Sequence, residues 1–302
     1  MINKGYCLGL IGFPLDHSLS PTLHAAVLRA LDLDGEYHLY PVPPLPAGAA
    51  ALEDHLMMLR QGDLVGLNVT IPHKQSILPL LDALTPTAQA IGAANTIFYL
   101  DGRLWGDNTD AAGFMADLKY LGWSFPAVDN PHALVLGSGG SARAVSYALI
   151  QTGWSLTVAA RRQEQAQNLI QNIQKFSTSS PNQGGDNQLT AIHLDSRSLI
   201  ELVPSPDLII NTTPLGMNPY QVESPWPEDI PFPSSQAAVY DLVYNPPETR
   251  LISSARKARM LVANGLGMLV EQAALSFETW TGFTAPRDVM REAAKDYRIG
   301  TS

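Results

Sequence analysis

Residues 134–142 read Leu-Val-Leu-Gly-Ser-Gly-Gly-Ser-Ala, an apolar run that breaks into a glycine-rich turn and then a helical pattern. From Gly137 the spacing is G-x-G-x-x-A, with Gly139 in the second slot and Ala142 in the third. The chemistry such a turn serves is the binding of a pyrophosphate. Gly137 permits the tight turn, Gly139 lets backbone N–H groups close on the phosphates, and Ala142 is small enough for helix and strand to pack. Ser138, Gly140 and Ser141 complete the loop, and the helix N-terminus offers unpaired donors and positive dipole to the anion. A strand before and a helix after are the context that separates a dinucleotide site from a plain glycine-rich connection.

A dinucleotide fold declares its preferred cofactor roughly twenty residues further on. There the second strand, Ser155 to Ala160, runs into Arg161-Arg162. A carboxylate at that strand end would accept from the ribose hydroxyls and repel a 2′-phosphate. Two guanidiniums stand in its place, suited to bidentate phosphate contacts and to stacking on adenine. The expected cofactor is NADP.

A second set of polar residues precedes this turn. Ser18 and Ser20 lie in Asp16-His-Ser-Leu-Ser-Pro21, and Asn68, Thr70 and Lys74 in Leu67-Asn-Val-Thr-Ile-Pro-His-Lys74. Asn95-Thr96, Asn108 and Asp110 follow. All fall at expected strand ends, where open α/β sheets bind ligands. Hydroxyls, amides and one Lys/Asp pair suit a small polyhydroxylated anion better than an apolar molecule.

Hydride exchange between an alcohol and a nicotinamide also moves a proton on or off the substrate oxygen. Lys74 is the candidate acid/base. A free lysine titrates at about 10.4, so such work near neutrality asks for partial burial. Asp110 would hold it and join the relay. In the same geometry Lys74 could instead stay charged and stabilise a developing alkoxide. An early-helix lysine opposes the helix dipole, which speaks for a role beyond solvation; Asp110 by itself is an ordinary helix-start residue. Tyr244 follows a strand and is either a cleft residue or a core tyrosine. Gln272 is either a substrate amide or a surface residue.

Other chemistries find no support. His17, His24, His55 and His73 lack metal-ligand spacing, so no metal is expected. Ser18 and Ser20 lack a G-x-S-x-G elbow, which argues against a serine hydrolase. The net charge of −9 and the absence of a basic run argue against nucleic acid. No apolar stretch reaches membrane-span length. A single cysteine, Cys7, fits a reducing compartment. The first strand begins soon after Met1, which predicts no leader peptide, and the expected location is cytoplasmic.

The elements that must position these residues alternate in type. Strands are expected at Tyr6–Gly12, Glu36–Val42 and Leu64–Ile71, with helices from Ser20 (as N-cap, Pro21 at the first helical position), from Ala49 and from Pro72. Asp101-Gly102 between two apolar runs signals a type I′ hairpin and an antiparallel edge. Strands near 133–137, 155–160, 189–194, 207–211, 237–243 and 261–263 follow, then helices at 266–280 and 287–297. The fold class is α/β, with a parallel sheet and crossover helices in each part. The expected domains are 1–108 for substrate binding and catalysis, completed by 265–302, and 109–264 as a Rossmann domain. Residues 177–188 read as a loose surface loop, and Pro-rich 219–233 as either a lid or a plain excursion.

The chain resembles the shikimate dehydrogenase family along nearly its whole length. The segments that carry the likeness include Ser18-Leu-Ser-Pro21, Asn68-Val-Thr-Ile-Pro-His-Lys74, Ile91-Gly-Ala-Ala-Asn95-Thr96, Gly106-Asp-Asn-Thr-Asp110, Asn211-Thr-Thr-Pro-Leu-Gly-Met217, Tyr240-Asp-Leu-Val-Tyr244 and Gly265-Leu-Gly-Met268 through Gln272. The resemblance implies reversible reduction of 3-dehydroshikimate to shikimate with NADPH, in aromatic amino acid biosynthesis. It implies Lys74 and Asp110 as the catalytic pair, Ser18 and Ser20 on the carboxylate with Tyr244 assisting, and Thr70, Asn95, Asp110 and Gln272 on the ring hydroxyls. Gly265 and Met268 would flank the nicotinamide, and Thr212 and Leu242 would lie near the dinucleotide. The resemblance further implies a monomer or a homodimer.

One departure stands out. The family's usual Asn-Arg-Thr after the second Rossmann strand is Ala160-Arg161-Arg162 here, so an adenosine contact is lost and a cation gained. Three rivals remain: a dual quinate/shikimate dehydrogenase using NAD, a folate-type dehydrogenase, and a non-catalytic sensor of NADP and a ring acid.

Overall fold

A computed structural model describes residues 5–123, 131–176, 188–203, 205–233 and 237–300. The loop expected at 177–188 lies, apart from its last residue, outside the described residues. The chain divides into two compact units, Met1–Ala116 with Leu269–Ser302, and Asp117–Met268.

In the first unit come β1 (Tyr6–Gly12), α1 (Ser20–Ala30), β2 (Gly35–Pro41), α2 (Ala49–Gln61), β3 (Gly66–Val69), α3 (His73–Ser76), β4 (Ala83–Leu84), α4 (Pro86–Ile91), β5 (Thr96–Leu100) and β6 (Arg103–Asp107). The sheet order is β2-β1-β3-β5-β6-β4. β1 pairs in parallel with β2 and β3, while β5 runs antiparallel to both β3 and β6. The β5–β6 turn has Asp101 at φ 49° and Gly102 at φ 76°, the two positive angles a type I′ hairpin needs. The hairpin is not the edge, however, because the short β4 pairs beyond β6. Leu52, Leu56 and Leu59 of α2, spaced three and four apart, bury against Leu67, Val69 and Ile97 of the sheet. Ser20 is the first residue of α1, not its cap: Leu19 holds the cap position without a side-chain bond. Ser18 supplies the acceptor instead, taking the Ser20 N–H at 3.3 Å.

α5 (Asp110–Leu121) leads into the second unit, which holds β7 (His132–Leu136), α6 (Gly140–Gln151), β8 (Ser155–Ala160), α7 (Gln163–Phe176), β9 (Leu189–His193), α8 (Ser196–Leu202), β10 (Leu208–Asn211), β11 (Ala238–Asp241), α9 (Arg250–Lys257) and β12 (Leu261–Asn264). α10 (Leu266–Thr281) and α11 (Arg287–Gly300) end the chain. All pairings in this sheet are parallel, in the order β12-β11-β10-β7-β8-β9. Counted within the unit this is 3-2-1-4-5-6, the doubly wound dinucleotide order with its switch point between the first and fourth strands. Both faces of β7, β8 and β10 are buried, as a covered parallel sheet requires.

Residues 219–233 form an excursion whose second half is pinned to this core. Trp226 packs into the cluster of Leu134, Ile209 and Val239 and stacks on Phe232 at 4.9 Å, and Ser196 Oγ donates to Asp229 at 2.6 Å. Among the described residues no helix is long and apolar enough to cross a membrane.

Candidate active site

In the first unit the strand ends place the polar set. Thr70 follows β3, Asn68 sits opposite Thr96 in the β3–β5 register, and Thr96 opposite Asp107 at the end of β6. Antiparallel pairing thus brings the start of β5 and the ends of β3 and β6 to one edge of the sheet. Lys74, in the single turn of α3, is tied to the same edge by its carbonyl, which accepts the Ala94 N–H at 2.8 Å.

Lys74 Nζ donates to Asp110 Oδ2 at 2.6 Å, with side-chain exposures of 14% and 5%. The other carboxylate oxygen accepts from Asn95 Nδ2 at 2.8 Å. Asn95 Nδ2 also reaches Gln272 Oε1 at 3.3 Å, and Gln272 is buried rather than a surface residue. Asp110 opens α5, and its own N–H is capped by Asn108 Oδ1 at 3.1 Å. The carboxylate therefore sits at a helix N-terminus, where negative charge is favoured, and is bonded by Lys74 on one oxygen and the Asn95 amide on the other.

Behind this pair lies a fully buried layer. Ser276, one helical turn after Gln272, meets Asn68 Nδ2 at 2.9 Å, Thr96 Oγ1 at 2.7 Å and Thr109 Oγ1 at 3.1 Å. Tyr37 OH donates to Asn68 Oδ1 at 2.9 Å. Neither Ser276 nor Tyr37 stands out in the sequence; Ser276 shares a helix face with Gln272 through its i+4 spacing. Ser20, at the start of α1, is buried and Ser18, in the β1–α1 loop, is half-buried, while Tyr244 is half-buried in the second unit. His73 is structural, its Nε2 bonded to the Val42 carbonyl at 2.8 Å.

In the second unit five of the expected cofactor positions fall at the same end of the sheet. Gly137, Arg161, Thr212, Leu242 and Gly265 are each the first residue after β7, β8, β10, β11 and β12, and parallel pairing aligns those ends. Gly137 takes φ 114°, a conformation that favours glycine. A side chain at Gly139 would meet nothing within 4 Å, so open space lies beside this turn and the N-terminus of α6. Ser138 Oγ donates to Gln165 Oε1 at 3.3 Å, Ser141 lies in the first turn of α6, and Ala142 is fully buried. Arg161 and Arg162 are exposed and make no ion pair among the described residues. Thr212 Oγ1 donates to the Leu136 carbonyl at 2.7 Å, fixing the β7–β10 switch point.

Asp241, the last residue of β11, is a further buried acid. Burial pushes its carboxyl up to about 6, against hydrogen bonds from Thr249, the Val243 N–H and Asn211 that favour the anion. Those three donors, at 2.6, 3.0 and 2.8 Å, order the loops after β10 and β11.

A doubly wound sheet with an open glycine turn, and a lysine–carboxylate pair on the other unit, suit a pyridine-nucleotide oxidoreductase. The comparisons narrow the class. Residues 10–97 match the shikimate dehydrogenase substrate binding domain, and residues 265–295 the shikimate 5′-dehydrogenase C-terminal domain. Shikimate dehydrogenase (NADP+) of Salinibacter ruber is 40% identical over 289 residues, covering 95% of each chain. A crystal structure of shikimate dehydrogenase in complex with NADP+ is 36% identical, with a TM-score of 0.82 over 98% of this chain and 97% of that one. Quinate dehydrogenase from Corynebacterium glutamicum in complex with NAD is 30% identical, with a TM-score of 0.79 over 97% of this chain and all of that one (100%). The chain belongs to the shikimate dehydrogenase family.

Proposed function

We propose that this chain catalyses the reversible reduction of 3-dehydroshikimate to shikimate with NADPH, a step of aromatic amino acid biosynthesis. The observation that carries the reading is the part-buried 2.6 Å pair of Lys74 and Asp110, within a chain of this family. The first unit takes the ring acid and the second the dinucleotide. Ser18 and Ser20 bind the carboxylate with Tyr244 assisting, and Thr70, Asn95, Asp110 and Gln272 hold the ring hydroxyls.

The residues at the second sheet's edge fit NADP. Gly137, Ser138, Gly139, Gly140, Ser141 and Ala142 hold the pyrophosphate, because the turn leaves open space beside backbone donors. The exposed Arg161 and Arg162 take the 2′-phosphate, Thr212 and Leu242 lie beside the dinucleotide, and Gly265 and Met268 flank the nicotinamide. When bound, the cofactor supplies or accepts the hydride. Lys74 moves the proton: it gives one to the substrate oxygen as the carbonyl becomes an alcohol, and takes one from the hydroxyl in the reverse direction. Asp110 fixes the lysine nitrogen at that oxygen and balances its charge. The acidic composition and single cysteine support a cytoplasmic enzyme, acting as a monomer or homodimer.

The test is oxidation of shikimate and of quinate, each with NADP and with NAD, followed at the reduced-nicotinamide absorbance. Turnover is expected with shikimate and NADP. Comparable quinate or NAD rates would move the chain to the dual-specificity branch, and no turnover with any pair would favour a sensor.

A further inference from the structure

The segment Gly265–Met268 enters α10 through two glycines whose side-chain positions are already taken. A Cβ on Gly265 would overlap the Leu242 carbonyl, and one on Gly267 would overlap the carboxylate of Asp117. Asp117 is 3% exposed, so a buried carboxylate stands against the first turn of α10, the helix end that favours negative charge. Its Oδ2 accepts a 2.6 Å bond from the hydroxyl of Tyr240, the penultimate residue of β11. Tyr240 is fully buried. Its hydroxyl oxygen also accepts the backbone N–H of Met268. Burial, and then the nearby Asp117 charge, push that hydroxyl well above its ordinary range, so it remains a neutral donor.

Asp117, Tyr240 and the Gly267–Met268 backbone thus form one hydrogen-bonded unit joining α5, β11 and α10. A phenylalanine–leucine pair could fill the same space without burying a charge, so the value of the polar pair lies in register rather than net stability. What it registers is the backbone that carries Met268. We propose that Asp117 and Tyr240 are positioning residues for the nicotinamide end of the dinucleotide, fixing Gly265–Met268 through the Met268 N–H and the side-chain-free Gly267. This rests on the functional reading above, in which Gly265 and Met268 flank the nicotinamide.

The test uses the full chain and two probes, NADPH and 2′,5′-ADP, which carries only the phosphorylated adenosine end. Tyr240→Phe should weaken NADPH binding about fivefold or more, the scale of one lost hydrogen bond. Affinity for 2′,5′-ADP and the KM for shikimate should change less than about twofold by the same reckoning. Asp117→Asn, whose carbonyl oxygen still accepts from Tyr240, should lose less than Asp117→Ala; it keeps the test open if Tyr240→Phe folds poorly. Equal weakening of both probes would show a general loss of structure and overturn the proposal, as would unchanged NADPH affinity in all three variants. A wild-type chain that binds 2′,5′-ADP and NADPH equally, with no gain from the nicotinamide half, would overturn the proposal while leaving the phosphate site intact. A wild type binding neither probe would overturn the functional reading and this proposal together.

Discussion

The backbone N–H of Thr109 donates to Asn95 Oδ1 at 2.8 Å. That bond decides which way the Asn95 carboxamide faces, because a backbone N–H can only be met by the carbonyl oxygen. The Asn95 amino group is therefore committed to Asp110 Oδ1 at 2.8 Å and Gln272 Oε1 at 3.3 Å. Asp110 is held from both sides, by Asn95 on one oxygen and Lys74 on the other.

Asn95→Asp should be far more damaging than its size suggests. It places a second carboxylate against Asp110, and two buried like charges compete for one proton. We expect kcat/KM for shikimate to fall by on the order of a hundredfold, with the KM for NADP little changed. Steady-state kinetics with each substrate varied in turn checks the split.

Arg161 and Arg162 stand exposed, immediately after β8. Replacing both by Ala should raise the KM for NADP by about tenfold or more, the scale of lost charge-assisted phosphate contacts, and barely alter that for NAD. An unchanged NADP/NAD ratio would mean that the phosphate is recognised elsewhere.

His24 gives a pH-dependent stability prediction. It is fully buried, neither ring nitrogen has a hydrogen-bond partner among the described residues, and its ring stacks on Tyr37 at 4.2 Å. Burial lowers its pKa from 6.5 to about 3. The unfolded chain therefore binds a proton between those values while the folded chain does not, so stability is full above about 6.5 and falls as pH drops toward 3. Between pH 6.5 and 5 this group alone should cost about 2 kcal/mol. Urea unfolding of wild type and His24→Phe at pH 7 and pH 5 should show the variant losing correspondingly less on acidification; equal losses would mean that His24 is not the group responsible.

The sequence made one half of this molecule plain and obscured the other. The strand–turn–helix around Gly137–Ala142 is legible because its spacing is local: a strand end, a glycine turn and a helix start within a dozen residues. Lys74 was unusual as an early-helix lysine and Asp110 an ordinary helix-start residue; the resemblance joined them, but nothing local said they would meet at 2.6 Å. Ser276 was invisible for the opposite reason, since a serine inside a helix is ordinary until the fold surrounds its hydroxyl with Asn68, Thr96 and Thr109. Ser20 looked like a cap because Ser-Pro is a helix-start pattern. The loop fold lets Ser18 provide the acceptor and draws Ser20 into the helix. The two-residue β4 has too few side chains to show any period, and α9 is marked mainly by its Thr249 cap, whose hydroxyl accepts the Ile252 N–H.

The role of Lys74 is tested most directly by the turnover and NADP affinity of Lys74→Ala. If Lys74 carries the proton while Asp110 holds it, kcat should fall by about a hundredfold or more, with the Kd for NADP close to wild type. Near-wild-type turnover, or a loss of NADP binding as large as the loss of rate, would contradict that role.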